Sequence, residues 1–178
     1  IAMGMSLASG RPSILCCTSG TAALNYAPAI AEAYYQHIPL LILTADRPVE
    51  RIDQGAGQSI RQKNVYANYV QSSYQWVQEA ITEAELSANR EILTQVVMDL
   101  VHYRRPVHIN IPLKEPLYEQ AELQTFDPLP IEMVSSASME RSRNVDPYFL
   151  EGFKHWVSGE KRIFIFLGQQ AELNPGLF

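Results

Sequence analysis

Cysteine is scarce in this chain. Its 178 residues hold two, and they are adjacent, Cys16 and Cys17. Neighbours on a strand point to opposite faces and cannot easily bridge, so no disulfide framework is available. The expectation is two reduced, buried thiols in a cytoplasmic protein, with no charged residue beside them in sequence of the kind that activates a catalytic thiol. Basic clusters are also missing. The net charge is −5 with no Lys/Arg block, which argues against binding nucleic acid through its phosphates. No apolar run approaches the length of a membrane span, and nothing resembles a signal peptide. The four histidines, His37, His102, His108 and His155, are scattered singly without zinc spacing, so no metal ligand set is expected here. His108 sits in an apolar run and is expected to be structural. G-x-G-x-x-G, a Walker loop and a nucleophile elbow are all absent.

What is present suits a packed α/β domain, with 47% hydrophobic and 19% charged residues. Continuous or nearly continuous apolar runs at 13–17, 39–44, 107–111 and 162–167 predict strands buried on both faces, with a weaker strand at 73–77. Residues 1–10 predict the end of a helix stopped by Gly10. Residues 22–36 predict a short turn and then a helix restarting at Pro28, because proline cannot sit inside a helix without breaking it. Thr82 and Glu85 have capping-box spacing, and Leu86, Leu93, Val96, Val97 and Leu100 form one apolar stripe behind them. Strand, helix, strand in this order predicts a parallel sheet with helices on both faces. Residues 115–145, with Pro116, Pro128, Pro130 and no sustained period, predict an interdomain linker. Asp146 and Pro147 then open a helix with an apolar face of Phe149, Leu150, Phe153, Trp156 and Val157, closed by Gly159. The expected organisation is one domain over 1–114, a linker over 115–145 and the start of a second α/β domain over 146–178. Because the sequence opens on Ile1 in mid-helix and stops just after a strand, it is expected to be a piece of a longer protein.

Ligands of an open parallel sheet bind beyond the carboxyl ends of its strands. Two loops leave such ends. In the first, Thr18 to Asn25 ("TSGTAALN"), Ser19, Gly20 and Thr21 combine a flexible backbone with small hydroxyls ahead of a helix start. An ordinary strand-to-helix turn has the same composition. The second, "TADRPVERIDQGAGQSIRQ" at 44–62, places Arg47 three residues beyond a core strand, with Gly55, Gly57 and Gln58 following. A guanidinium offers a planar fork that matches a carboxylate, and a glutamine can both donate and accept. The plainer alternative is a solvated loop in which Asp46, Glu50 and Asp53 pair with Arg47, Arg51 and Arg61.

Three blocks carry a resemblance: "CTSGTAALNYAPAIAEA", "LILTADRPVERIDQGAGQSIRQ" and "PVHINIPLKEPLY". In order and spacing they resemble the 2-succinyl-5-enolpyruvyl-6-hydroxy-3-cyclohexene-1-carboxylate synthases, thiamine-diphosphate enzymes of menaquinone synthesis. The first block is shared broadly among thiamine-diphosphate enzymes; the second, with "EPLY", is more particular to this synthase. The resemblance covers residues 1–118 well and the remainder loosely.

It implies a pyrimidine-binding domain lacking its beginning, followed by the start of a central domain. It implies decarboxylation of 2-oxoglutarate, addition of the resulting succinyl carbanion to isochorismate, and a homodimeric or homotetrameric cytoplasmic enzyme. The cofactors would be thiamine diphosphate with Mg2+ or Mn2+, the metal held by a third domain outside this chain. The family's substrate-binding Arg and Gln fall on Arg47 and Gln58, and Ser19, Gly20 and Thr21 fall on the cofactor side. No catalytic residue is expected within the chain, since the Glu that acts on the aminopyrimidine ring belongs upstream of Ile1; these residues alone are expected to be inactive. Two positions depart from the family pattern: Gly57 stands where an Asn is usual, and Arg105 where a Gly is common. The alternatives are another thiamine-diphosphate-dependent decarboxylase or synthase, and a non-catalytic α/β anion-binding module.

Overall fold

The computed structural model describes residues 1–114 and 147–159. The chain divides into two compact units, Ile1–Ser135 and Ser136–Phe178. In the first unit the order is α1 (Ala2–Ser9), β1 (Ser13–Cys17), α2 (Thr21–Leu24), α3 (Ala27–Tyr35) and β2 (Leu40–Asp46). A 3-10 turn (Val49–Arg51), β3 (Ser72–Gln75), α4 (Glu83–Tyr103) and β4 (Val107–Pro112) follow. The four strands form one sheet in the order β1-β2-β4-β3, and every pairing is parallel. The α/β class and the parallel sheet match the sequence expectation. In the second unit, α5 (Pro147–Ser158) is the described element. The expected strand at 162–167, the 115–145 linker and the Asp146 cap lie outside the described residues.

The parallel register sorts the side chains cleanly. Ile42 and Thr44 of β2 pair with His108 and Asn110 of β4, which pair in turn with Ser73 and Gln75 of β3. Successive side chains alternate faces, so these six residues share one face. Toward its amino end that face is apolar, and Leu40 and Ile42 pack with Ala23, Ile30, Ala33, Ile38, Tyr66 and Val70. The opposite face presents Leu41, Leu43, Val107, Ile109 and Tyr74 to Val96, Leu100, Ile92 and Leu93 of α4. Both faces are therefore covered by helical or looped chain.

The helix signals act locally as expected. Thr82 Oγ1 accepts from the Glu85 N–H at 3.3 Å, and the Glu85 carboxylate accepts from the Thr82 N–H at 2.9 Å, so the capping box is complete. Gly10 ends α1 at φ 68°, a left-handed conformation that glycine adopts without a Cβ penalty. Pro28 falls at the start of α3, and the break from α2 lies where proline predicts it. Arg105, at a position where the family pattern has Gly, lays its guanidinium 4.5 Å from the Tyr34 ring centroid and donates to the Tyr34 hydroxyl at 3.3 Å. This stacked contact pins α3 to the turn before β4.

Two expectations need correction. First, β1 is not buried on both faces: Ile14 is 66% exposed and Cys16 is exposed, while Cys17 is half-buried. β1 is the edge strand of the described sheet, and Ile14 and Cys16 lie on the α4 side beyond the cluster that α4 covers. Second, β2 runs to Asp46, so Ala45 and Asp46 belong to the strand and not to the loop. The Asp46 carbonyl accepts from Leu113, which prolongs pairing with β4.

His108 is fully buried, and burial lowers its pKa from 6.5 to about 4. The imidazole is therefore neutral in the folded chain at pH 5–8, whereas the unfolded chain takes up a proton near pH 6.5. The stabilisation is complete above pH 6.5 and is lost as pH falls toward about 4, by about 3 kcal/mol at most. His108→Gln keeps a donor but cannot titrate. Urea unfolding at several pH values should show a smaller loss of stability between pH 6.5 and 4 in this variant than in the wild type. Parallel losses would mean that His108 does not contribute.

Candidate functional site

Because the strands are parallel, the loops after β1 and β2 emerge at the same edge of the sheet. Under them lies a buried polar network. Asn110 is 1% exposed and uses all of its capacity. Its Oδ1 accepts from Thr44 Oγ1 at 2.8 Å and from Gln62 Nε2 at 3.1 Å. Its Nδ2 donates to Asp46 Oδ2 at 2.7 Å and to Gln75 Oε1 at 3.1 Å. The Thr44 hydroxyl has one proton, already given to Asn110, so it must accept from His108 Nε2–H at 2.9 Å. His108 Nδ1 then accepts from Ser73 Oγ at 3.0 Å. One neutral tautomer satisfies every partner, as expected of a histidine whose pKa is depressed.

Asp46 links this network to the loop. Its Oδ1 accepts from the Arg47 N–H at 2.8 Å. Burial pushes its carboxyl above the usual carboxylate value, opposed by the Asn110 amide, the Arg47 N–H and the Arg47 charge. Asp46 thus faces inward to the Asn110 amide as well as toward Arg47. The plainer reading is a solvated loop of ion pairs. It holds for Asp53 and Arg61, which meet at 2.8 Å on an exposed surface where such a pair contributes little.

Arg47 Nε donates to the Gly57 carbonyl at 3.3 Å. Arg47, Arg51, Ala56, Gly57 and Gln58 line an open cleft of about 580 Å³. Two guanidiniums at one cleft suit a carboxylate-bearing ligand. A Cβ built on Gly57 would meet nothing within 4 Å, so the departure from Asn there leaves open space. The loop also carries left-handed residues at Asp53, Gly55 and Gln58 (φ 61°, 72° and 56°), two of them not glycine. Such conformations persist where surrounding bonds enforce them.

The two loops are clasped. Gln58 Nε2 donates to Thr18 Oγ1 and to the Ser19 carbonyl, both at 3.1 Å, and Ser19 Oγ donates to the Gln58 carbonyl at 3.0 Å. The Gly20 N–H donates to Gln62 Oε1 at 2.6 Å. Four of the five residues singled out from sequence, Ser19, Gly20, Arg47 and Gln58, are thus brought to one place. Thr21 opens α2 and is exposed. The Ser19 hydroxyl and the Gly20 N–H are spent within the chain, so neither is left to donate to a ligand. Residues 18–25 carry no Lys, Arg or carboxylate. This turn fits the flat, neutral ring of an aminopyrimidine as a wall of small residues; it does not fit a diphosphate. Among the described residues no group of three or more His, Cys, Asp or Glu could hold a metal ion.

Sequence reasoning missed Gln62 and Asn110. Both are polar residues, fully buried, and neither falls in a catalytic motif. The available signal was an Asn inside the β4 run, which must find partners when buried.

Two hydrogen-bonded loops at the carboxyl ends of a parallel sheet, one uncharged and the other lining a cleft with two arginines, place this unit among α/β domains with a polar strand-end site. Residues 1–65 match the model for the thiamine pyrophosphate enzyme N-terminal TPP binding domain. The chain is also similar to proteins named 2-succinyl-5-enolpyruvyl-6-hydroxy-3-cyclohexene-1-carboxylate synthase. The one from Cytophaga hutchinsonii is 45% identical over 124 residues, 69% of this chain and 22% of the relative. That from Desulfotalea psychrophila is 39% identical over 170 residues, 95% of this chain and 31% of the relative. That from Porphyromonas gingivalis is 51% identical over 118 residues, 66% of this chain and 20% of the relative. Over the matched residues, the chain belongs to the family of these synthases. It spans less than a third of the length of each of these relatives.

Gly20 has φ 80°, and a Cβ there would lie 2.9 Å from the Gln58 carbonyl oxygen and 3.0 Å from its carbonyl carbon. Backbone cannot yield as a flexible side chain can. Gly20→Ala is therefore expected to destabilise the chain by about 1–3 kcal/mol and to open the clasp. Urea unfolding measures the loss; an unchanged midpoint would contradict the close approach of the two loops. A larger residue at Gly20 is accordingly not a clean probe of cofactor contact.

Proposed function

We propose that this chain is the pyrimidine-side part of a synthase that decarboxylates 2-oxoglutarate and adds the succinyl carbanion to isochorismate in menaquinone synthesis. The observation that carries this reading is the Arg47 cleft, joined by hydrogen bonds to the neutral Thr18–Gly20 turn, in a chain of this family. Thiamine diphosphate supplies the electron sink for decarboxylation. The protein groups described here do the rest of the local work. Ser19, Gly20 and Thr21 form the wall beside the aminopyrimidine ring. Arg47, its backbone fixed by Asp46 and its side chain held by Gly57, binds a carboxylate of isochorismate. Gln58 borders the same cleft and stiffens it through Thr18 and Ser19. Such preorganised contacts orient the acceptor and lower the entropic cost of bringing two substrates together.

In the same reading, 1–114 belongs to the pyrimidine-binding domain, 115–145 to a linker and 146–178 to a central domain. The diphosphate with its Mg2+ or Mn2+, and the Glu that acts on the aminopyrimidine, would be held by residues outside these 178. The parent would be a cytoplasmic homodimer or homotetramer. No helix among the described residues is long and apolar enough to cross a membrane.

The test uses the full-length parent. With 2-oxoglutarate, thiamine diphosphate and magnesium it should consume isochorismate. Arg47→Ala should lower kcat/KM for isochorismate by about tenfold or more, mainly through KM, as loss of a charge-assisted bond costs about 1.5–3 kcal/mol. Wild-type kinetics at sub-saturating isochorismate would remove Arg47 from the substrate site.

A further inference from the structure

We propose that Gln62 is a positioning residue: it latches the turn after β1 to the loop after β2, so that affinity for the cofactor ring and affinity for isochorismate change together. This inference rests on the synthase reading for what binds, and on geometry alone for the latch. Gln62 is 1% exposed, and its side chain makes three bonds to three different parts of the chain. Oε1 accepts from the Gly20 N–H at 2.6 Å; Nε2 donates to the Ala45 carbonyl at 2.9 Å and to Asn110 Oδ1 at 3.1 Å. Asn110 donates to Asp46, and Asp46 accepts the Arg47 N–H. An unbroken hydrogen-bonded path thus runs from the Gly20 N–H to the backbone N–H of Arg47, from the turn after β1 to the residue that carries the guanidinium.

The other bonds between the loops involve the exposed Gln58, where water can replace a lost partner. Water cannot readily replace the Gln62 bonds, because the side chain is shielded on every side. Neither Gln62 nor Asn110 lines the cleft, so both must act through the residues they hold.

The experiment is made on the full-length protein with thiamine diphosphate and magnesium. Gln62→Met keeps the volume of the side chain and removes all three bonds. It should speed amide hydrogen exchange at Gly20, and should weaken both thiamine-diphosphate Kd by calorimetry and isochorismate KM by about tenfold, with kcat changed less. Gln62→Glu, held protonated by burial, can still accept from Gly20 and donate to Asn110, and should restore both affinities to within about threefold. A rise in one affinity without the other, or unchanged Gly20 exchange, would overturn the proposal. A second measurement needs no variant. Isochorismate Kd in the wild type, taken without 2-oxoglutarate so that nothing turns over, should tighten when thiamine diphosphate saturates. Independent affinities would overturn the latch even if Gln62→Met does not fold. Failure of the wild type to consume isochorismate would instead sink the synthase reading, while Gly20 exchange would still decide whether the latch exists.

Discussion

The structure depends most on a single buried amide. Asn110 is buried in β4 between Ile109 and Ile111, and it offers two donors and two acceptor directions that cannot go unmet there. The four are met from three elements: β2 through Thr44 and Asp46, β3 through Gln75, and the loop after β2 through Gln62. A leucine in its place could fill the volume but would leave four polar partners to be satisfied elsewhere. The amide thus trades hydrophobic gain for a unique arrangement of the strand ends. Burial of the surrounding apolar face supplies the stability that makes such an arrangement tolerable.

That trade divides the sheet along its length. At the amino ends of the strands, Leu40, Ile42, Val107 and Ile109 pack against helices and hold the layers together. At the carboxyl ends the same alternation delivers Thr44, Asp46, Asn110 and Gln75, which hold loops instead. His108 stands at the border. It stacks edge-on against Tyr66, with ring centroids 4.9 Å apart, and passes hydrogen bonds from Ser73 to Thr44. Stability and site geometry are thereby carried by different residues of the same strands.

Much of this was legible in the sequence because the signals are local. Periodicity located the strands of the first unit, the T-x-x-E spacing located α4 to the residue, and proline and glycine marked the breaks. What was not legible depends on partners distant in sequence. The burial of β1 could not be judged from its composition, because a short, mostly apolar run looks alike on an edge strand and in the middle of a sheet. The role of Gln62 could not be judged because its three partners lie 17, 42 and 48 positions away. Arg47 and Gln58 could be named from the resemblance. That they lean on Gly57 and Thr18 is a property of the folded loops alone.

Gly57 has a consequence for how such a site can diverge. Its missing side chain leaves space at the wall of the cleft, and no neighbour within 4 Å depends on that space staying empty. Substitution there can narrow the opening or add a hydrogen-bonding group without touching the network beneath it. A lineage can therefore sample new ligand preferences at this position at almost no risk to folding. The buried amides of Gln62 and Asn110 allow no such drift, because their bonds would be left unmet. Within the loop after β2, freedom in what is bound thus falls to Gly57 and constraint on how the binding groups are held falls to Gln62.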